Sequence, residues 1–369
     1  MLTYWEKESG LLECDFLVVG MGLVGMQLAI RLKESEPKAR VVIVDKNTWG
    51  GGASLRNAGF ACFANASEIL HDLENQSEEE VIETIKSRYQ GLNLLRHHLT
   101  DEKIGYRPSG SKEVFFEEQK EALSKALDQL QYLNGLCEAA TGVERVFTYS
   151  FAPGKGNKGY ILNNNEGLLH TGKLYQTLWN NVRETGVEIL GGLEFKGYES
   201  DNRVATCFDR DIHFSVGQLF ICTNGLPIPG LNENVYPARG TVLVTEELTD
   251  LDMEEAFFND GGYYYWRSIN NRVLLGGGRH LAVEDEKTTS LDANPIIESA
   301  LREFLFERIT HKTVKIDHVW SGTMGMGEHS KKPIVKSLES NVHIAIRLGG
   351  MGVALSASVA QEAMNLIRK

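Results

Sequence analysis

The sequence has no long apolar run: nowhere do about 18 uncharged hydrophobic residues follow one another, so no membrane-spanning helix is expected. Its amino end, from Met1 to Glu13, carries Glu6, Lys7, Glu8 and Glu13 where a signal peptide needs an apolar core. A cytoplasmic protein without a membrane partner is expected. Cysteine is scarce as well: the five residues, Cys14, Cys62, Cys137, Cys207 and Cys222, are odd in number and form neither a C-x-x-C pair nor a cluster with histidine. That spacing argues against a disulfide scaffold and against a metal site. Positive charge is in deficit, with 38 Lys and Arg against 50 Asp and Glu for a net charge of −12. A surface of that sign repels phosphate backbones, so no nucleic-acid partner is expected.

What is present is enough for two cored domains: 369 residues, of which 42% are hydrophobic and 24% charged. The run Phe16-Leu-Val-Val-Gly-Met-Gly-Leu-Val-Gly25 is apolar and β-branched, breaks into glycines, and continues as Met26 to Leu32 with helical spacing. A second apolar run, Val41 to Val44, ends in Asp45. Strand, helix and strand in that order make a βαβ unit, whose crossover forces parallel pairing.

Farther along, apolar residues at three- and four-residue steps predict amphipathic helices over Glu78 to Leu99 and through Leu123, Leu127, Leu130 and Leu133. Between them, Tyr106 to Phe116 reads as a strand or hairpin after a turn. Strand-type segments recur at Gly240 to Thr245, Tyr263 to Trp266 and Val273 to Leu275, rich in β-branched and aromatic residues. They predict an antiparallel sheet. The carboxy end repeats the opening pattern, with strand Val342 to Ile346, glycines at 349, 350 and 352, then helix Val353 to Ile367. The fold class is therefore α/β, with a Rossmann-like nucleotide domain (1–90, 155–232 and 318–369) interleaved with an α+β antiparallel-sheet substrate domain (91–154 and 233–317).

Gly20, Gly22 and Gly25 form a G-x-G-x-x-G pattern after a strand and at a helix start. The first permits a tight turn, the second lets backbone approach a pyrophosphate, and the third lets helix and strand pack closely. Free N–H groups and the helix dipole there favour phosphate. Asp45 follows about 20 residues on, where a carboxylate accepts ribose hydroxyls and repels a 2′-phosphate. The pattern alone leaves NAD and FAD open.

After Asp45 comes Gly50-Gly-Gly-Ala-Ser-Leu-Arg-Asn-Ala-Gly59, which offers a hydroxyl, a guanidinium and an amide among small residues. This loop resembles the second flavin motif of the D-amino-acid oxidase, glycine oxidase and sarcosine oxidase superfamily. The similarity extends to His170-Thr-Gly-Lys-Leu174, Leu219-Phe-Ile-Cys-Thr-Asn-Gly225, Ala238-Arg-Gly240 and the carboxy-terminal glycines. It implies FAD and a glutathione-reductase/D-amino-acid-oxidase type fold. The implied positions are Gly20, Gly22 and Gly25 at the diphosphate, Asp45 with Lys46 at the ribose, and Ser54, Arg56, Asn57 and Gly59 at the second phosphate and the isoalloxazine. Phe195 belongs to the strand that meets adenine, Thr223, Asn224 and Gly225 end the strand that reaches the cofactor, and Gly350 and Gly352 open the last helix toward the flavin N1–C2=O edge. The implied chemistry is hydride transfer from a carbon beside nitrogen, or sometimes oxygen, to flavin N5.

Two departures bear on the substrate. Glycine-oxidase-like relatives carry an arginine for the substrate carboxylate after the late tryptophan, whereas Trp320-Ser-Gly-Thr-Met324 has a thioether there. The cysteine that attaches FAD covalently in sarcosine oxidases is missing from the same region, so FAD is expected to be noncovalent. Arg347 stands where a glycine is usual, and either replaces the lost cation or pairs with an acid. Arg267 and Arg279 are further carboxylate candidates, and Tyr263 and Tyr265 share a strand face by the period-two rule. His280 and His329 are weighed as bases or substrate-orienting groups. The expected ligand is an amine, amino acid or hydroxy acid, oxidised with O2 or another acceptor; a protein of the same fold whose substrate site has decayed is the alternative.

Overall fold

The computed structural model describes residues 3–151, 157–200, 204–208, 212–228, 230–249, 251–328 and 330–367. The expected βαβ unit is there: Glu13–Val19 and Val41–Asp45 pair in parallel, joined by the helix Leu23–Ser35. A strand buried on both faces requires a continuous apolar run, and Leu17, Val18, Val42, Ile43 and Val44 are all fully buried. The sheet widens by parallel pairing of Glu13–Val19 with Ile212–Ile221, of that strand with Val342–Ile346, and of Val41–Asp45 with Glu188–Gly191. An antiparallel strand, Ile334–Glu339, closes one edge, and the hairpin Phe195–Ser200/Val204–Phe208 extends from Ile212–Ile221. Helices Leu23–Ser35, Thr171–Glu184, Glu78–Leu99 and Gly352–Asn365 cover one face.

The second sheet has the order Ile316–Met326, Tyr236–Thr245, Arg272–Gly277, Tyr264–Ile269, Ala256–Asn259, Ser111–Phe116, Asn157–Asn163 and Phe147–Ser150. It departs from the expected antiparallel pattern once, where Ala256–Asn259 runs parallel to Ser111–Phe116. It also draws strands from outside the expected boundaries. Asn157–Asn163 pairs with Ser111–Phe116, and Ile316–Met326 pairs along the length of Tyr236–Thr245, so both leave the nucleotide domain in which the motif order had placed them. The boundary at 90/91 falls inside the continuous helix Glu78–Leu99. Alternating apolar residues fix which face of a strand is buried but not which sheet it joins. The Leu123 to Leu133 stretch is two helices, Lys120–Asp128 and Leu130–Thr141, meeting at Gln129. Among the described residues no helix is long and apolar enough to cross a membrane.

The helix Ala66–Asp72 packs against the helices Lys120–Asp128 and Leu130–Thr141. Asn65 caps it, its side chain accepting from the Glu68 N–H at 3.1 Å. Glu113, from the second sheet, accepts the Ser67 N–H at 3.3 Å and has one carboxylate oxygen without a partner among the described residues. Burial pushes the Glu113 carboxyl up to about 7. The native state therefore keeps a proton that the unfolded chain releases from about pH 4.5 upward, and stability falls through that window and levels off above about pH 7. Glu113→Gln removes this loss: unfolding in urea is expected to show the variant gaining about 2 kcal/mol on the parent between about pH 5 and about pH 8.

Candidate functional site

One cavity of about 1530 Å³ runs from the end of the first sheet to the face of the second. That exceeds the roughly 300–1,000 Å³ typical of pockets for drug-sized ligands, and leaves room for a dinucleotide and a substrate together. Of the residues expected at the cofactor, Gly20, Gly22, Asp45, Lys46, Ser54, Arg56, Asn57, Phe195, Thr223, Asn224, Gly350 and Gly352 line it.

The nucleotide end is built as the spacing requires. A Cβ on Gly25 would lie 2.0 Å from the Gly20 carbonyl oxygen, and one on Gly20, at φ +109°, would lie 2.7 Å from the Cys222 carbonyl. Gly22 caps the helix without a side-chain acceptor, so the first turn keeps N–H groups for a ligand. The Ser54 hydroxyl accepts the Leu23 N–H at 3.0 Å and so ties the second motif to this helix start. The Asp45 carboxylate is held by the N–H groups of Met21 and Asn47, each at 2.8 Å, with lone pairs left for hydroxyl donors. Thr223 offers a buried hydroxyl without a partner among the described residues. These features fit a bound dinucleotide.

Three of the expected cofactor residues act from behind the wall. Gly25, Gly59 and Gly225 do not line the cavity; each gives room for neighbouring backbone, as a Cβ on Gly59 would lie 2.5 Å from the Leu169 carbonyl and one on Gly225 2.3 Å from that of Met324. Arg56 lines the cavity, yet its Nε donates to the Gly51 carbonyl and its Nη1 to that of Ser321, both at 2.9 Å. Asn57 donates to the Ser54 carbonyl and accepts from the Gly59 N–H and the Thr171 hydroxyl. These two side chains shape the loop first.

The three candidate arginines separate clearly. Arg267 is buried and does not reach the cavity: its Nη1 donates to the carbonyls of Leu169 at 2.7 Å, Gly59 at 2.9 Å and Ala58 at 3.3 Å. Burial lowers its pKa to about 10, and its assignment to a substrate carboxylate is corrected. Arg347, at φ +64°, also points away, donating to the carbonyls of Lys332 at 2.9 Å and Asn234 at 2.8 Å. Its guanidinium does not line the cavity and, among the described residues, forms no ion pair; Glu233, whose charge acts on it, is bridged to Lys336. Arg279 lines the cavity, half-buried, and its guanidinium has no hydrogen-bond or ion-pair partner among the described residues.

Tyr263, Tyr265 and Met324 line the same cavity. Tyr263 precedes the strand Tyr264–Ile269 instead of lying within it, and is exposed. Tyr265 stands edge-on to Phe60, their centroids 5.5 Å apart, and burial pushes its hydroxyl up to about 12, opposed by the charge of Arg279. Met324 fills the gap between Gly240 and Gly350, Cβ positions on which would lie 3.1 Å from its Cε and 3.3 Å from its Sδ. His280 does not line the cavity; it packs on Tyr263, and burial lowers its pKa. His329 lies outside the described residues.

One wall went unread in the sequence. The helix Ala66–Asp72 presents Glu68 and Asp72, bridged by Lys331 Nζ at 2.7 Å from each, while buried Arg88 grips both Glu68 oxygens at 3.1 Å. Burial would raise the Glu68 carboxyl, but Arg88 and Lys331 outweigh it and hold that group well below the carboxylate range. Burial and the charge of Glu68 raise Asp72. The Asn65-Ala-Ser-Glu68 spacing signals a helix start, but nothing in the order of residues brings Lys331 to it.

Gly25→Ala puts a methyl carbon against the Gly20 carbonyl, so the first turn must shift and the cradle opens. The variant is expected to purify colourless where the parent carries a visible flavin spectrum; an unchanged spectrum contradicts the geometry. Among solved structures, L-proline dehydrogenase from P. horikoshii is similar over 96% of this chain and 93% of that one, at 14% identity and TM-score 0.74. Glycine oxidase from Geobacillus kaustophilus is similar over 96% and 95%, at 17% identity and TM-score 0.73. L-alpha-glycerophosphate oxidase from Mycoplasma pneumoniae, a structure with FAD bound, is similar over 97% and 95%, at 14% identity and TM-score 0.76. No curated protein matches the chain. A family model described as FAD dependent oxidoreductase, DAO, matches residues 15–366. The chain belongs to this family of FAD-dependent oxidoreductases, and FAD is its cofactor.

Proposed function

We propose that the protein oxidises an amino acid at the carbon bearing its nitrogen, giving an imine that water hydrolyses. One observation carries this reading: in the part of the cavity walled by the second sheet, Arg279 is a cation with no protein partner among the described residues. A guanidinium in a partly desolvated wall favours a planar anion that accepts its fork of donors, and a carboxylate meets that geometry. Tyr265, kept protonated at neutral pH, adds a hydroxyl donor on the same side. Phe60, Phe258 and Tyr265 flank the chamber with rings that exclude water, which strengthens the contact with Arg279.

FAD, when bound, supplies the electron sink that accepts the hydride. The chain's own task is alignment: the Ser54 to Gly59 loop fixes one side of the reacting space, and Arg279 with Tyr265 fixes the substrate on the other. Met324 leaves the floor apolar where a second cation would compete for the carboxylate. We infer further that FAD is held without a covalent bond. Cys62 and Cys222 line the cavity, but burial pushes the Cys62 thiol well up and that of Cys222 up to about 12, so neither supplies a thiolate at neutral pH. Acid precipitation is then expected to leave the flavin in the supernatant.

Anaerobic mixing with a panel of amino acids, amines and 2-hydroxy acids tests the reading. Bleaching of the flavin by amino acids supports it, and bleaching by hydroxy acids alone replaces it with oxidation beside oxygen. Arg279→Met is expected to raise KM for the best amino acid about 10- to 100-fold, the size of a charged hydrogen bond, and to leave an amine lacking the carboxylate unaffected. Equal effects on both would remove Arg279 from the carboxylate.

A further inference from the structure

Between the strand Arg272–Gly277 and the helix Pro295–Phe304 the chain makes one short turn, Arg279–Ala282, and then runs irregularly to Asn294. Three residues of this segment, Arg279, Thr289 and Leu291, line the cavity. The segment buries little apolar surface, since Leu281 and Val283 are 48% and 40% exposed and Leu291, at the cavity, is 45% exposed. An irregular segment with so little apolar burial needs another source of order.

That source is a buried ion pair behind the cavity wall. Arg239, on the strand Tyr236–Thr245, is 8% exposed and Glu286 1%. Arg239 Nη2 donates to Glu286 Oε1 at 2.7 Å and Nε to Oε2 at 3.1 Å, and Nη1 reaches the Asp292 carbonyl at 2.6 Å. The backbones are joined too, the Arg239 N–H donating to the Glu286 carbonyl at 2.8 Å. Asn294 donates to Glu286 Oε1 at 2.9 Å and caps the next helix by accepting from the Ile296 N–H at 3.0 Å. Arg239 thus grips the segment at Glu286 and at Asp292, on either side of Thr289 and next to Leu291. Gly240, the residue after Arg239, is itself part of the cavity wall.

We infer that the 279–294 segment is the substrate-specificity loop of this enzyme, and that the buried Arg239–Glu286 pair is its positioning element. The pair sets where Arg279 meets the carboxylate and where Thr289 and Leu291 meet the rest of the amino acid. The substrate half of this inference rests on the reading of Arg279 given above.

Hydrogen exchange on the FAD-loaded protein tests the positioning role without a substrate. Glu286→Gln keeps the size of the side chain and removes its charge; exchange over 279–294 is expected to quicken about tenfold or more, with the first sheet unchanged. Unchanged exchange in that segment overturns the inference. With the amino acid that best bleaches the parent, Glu286→Gln is expected to raise KM about tenfold while kcat falls less than about threefold. A fall in kcat at constant KM overturns it. Leu291→Ala, at an exposed position, tests the specificity role independently of folding: the kcat/KM ratio between amino acids of large and small side chain is expected to change about tenfold, and an unchanged ratio overturns it. If neither an amino acid nor a 2-hydroxy acid bleaches the parent, the reading of Arg279 fails, and the exchange experiment still decides the ion pair.

Discussion

The Arg267 guanidinium is the joint on which the site depends. It belongs to the second sheet, yet it holds the carbonyls of Ala58 and Gly59, in the loop that follows the first βαβ unit, together with that of Leu169. A charge this deeply buried is tolerated only because three backbone dipoles surround it. Arg56 works in the opposite direction, from the first unit onto the Ser321 carbonyl of the second sheet, and the Trp320 indole N–H returns to the Arg56 carbonyl at 3.0 Å. The cofactor loop is therefore laced to the substrate sheet by charged and polar side chains that reach backbone, and the width of the chamber follows from that lacing.

How much of this the sequence could tell depended on range. The Leu23–Ser35 helix start, Asp45 and the helix Glu78–Leu99 were legible because apolar periodicity and turn glycines act within a few residues. The cofactor end was legible for the same reason, since the phosphate cradle is local backbone geometry. Sheet membership was not: Asn157–Asn163 and Ile316–Met326 carry strand patterns that fit either sheet, and the strands that tie them to the second sheet, Ser111–Phe116 and Tyr236–Thr245, lie far away in sequence.

The arginines show the same limit at the level of single side chains. Arg267, Arg279 and Arg347 look alike in a sequence, each beside residues of the expected motifs. Their duties differ because of what surrounds them: Arg267 and Arg347 find carbonyls, whereas Arg279, on a short turn past a strand end, finds the open chamber. A left-handed backbone at Arg347 turns its side chain toward the loop at Lys332, a direction that no spacing rule contains. The Glu68, Asp72 and Lys331 wall was unreadable for a related reason, as its members come from a helix and a distant loop.

That wall also has a bearing on how an anionic ligand arrives. Its carboxylates are matched by Lys331 and Arg88, so it exerts little net pull at a distance, while the molecule as a whole carries a net charge of −12. A ligand of net negative charge would thus diffuse against a repulsive field and gain attraction only on contact, whereas a zwitterion such as an amino acid, its charges balanced, would meet little of that barrier. Dissolved salt, whose screening reaches about 8 Å at physiological strength, weakens the repulsion before it touches the enclosed contact. Moderate ionic strength would therefore hasten capture of a ligand of net negative charge and leave that of a zwitterion nearly unchanged, unlike enzymes that draw their substrates in by long-range charge.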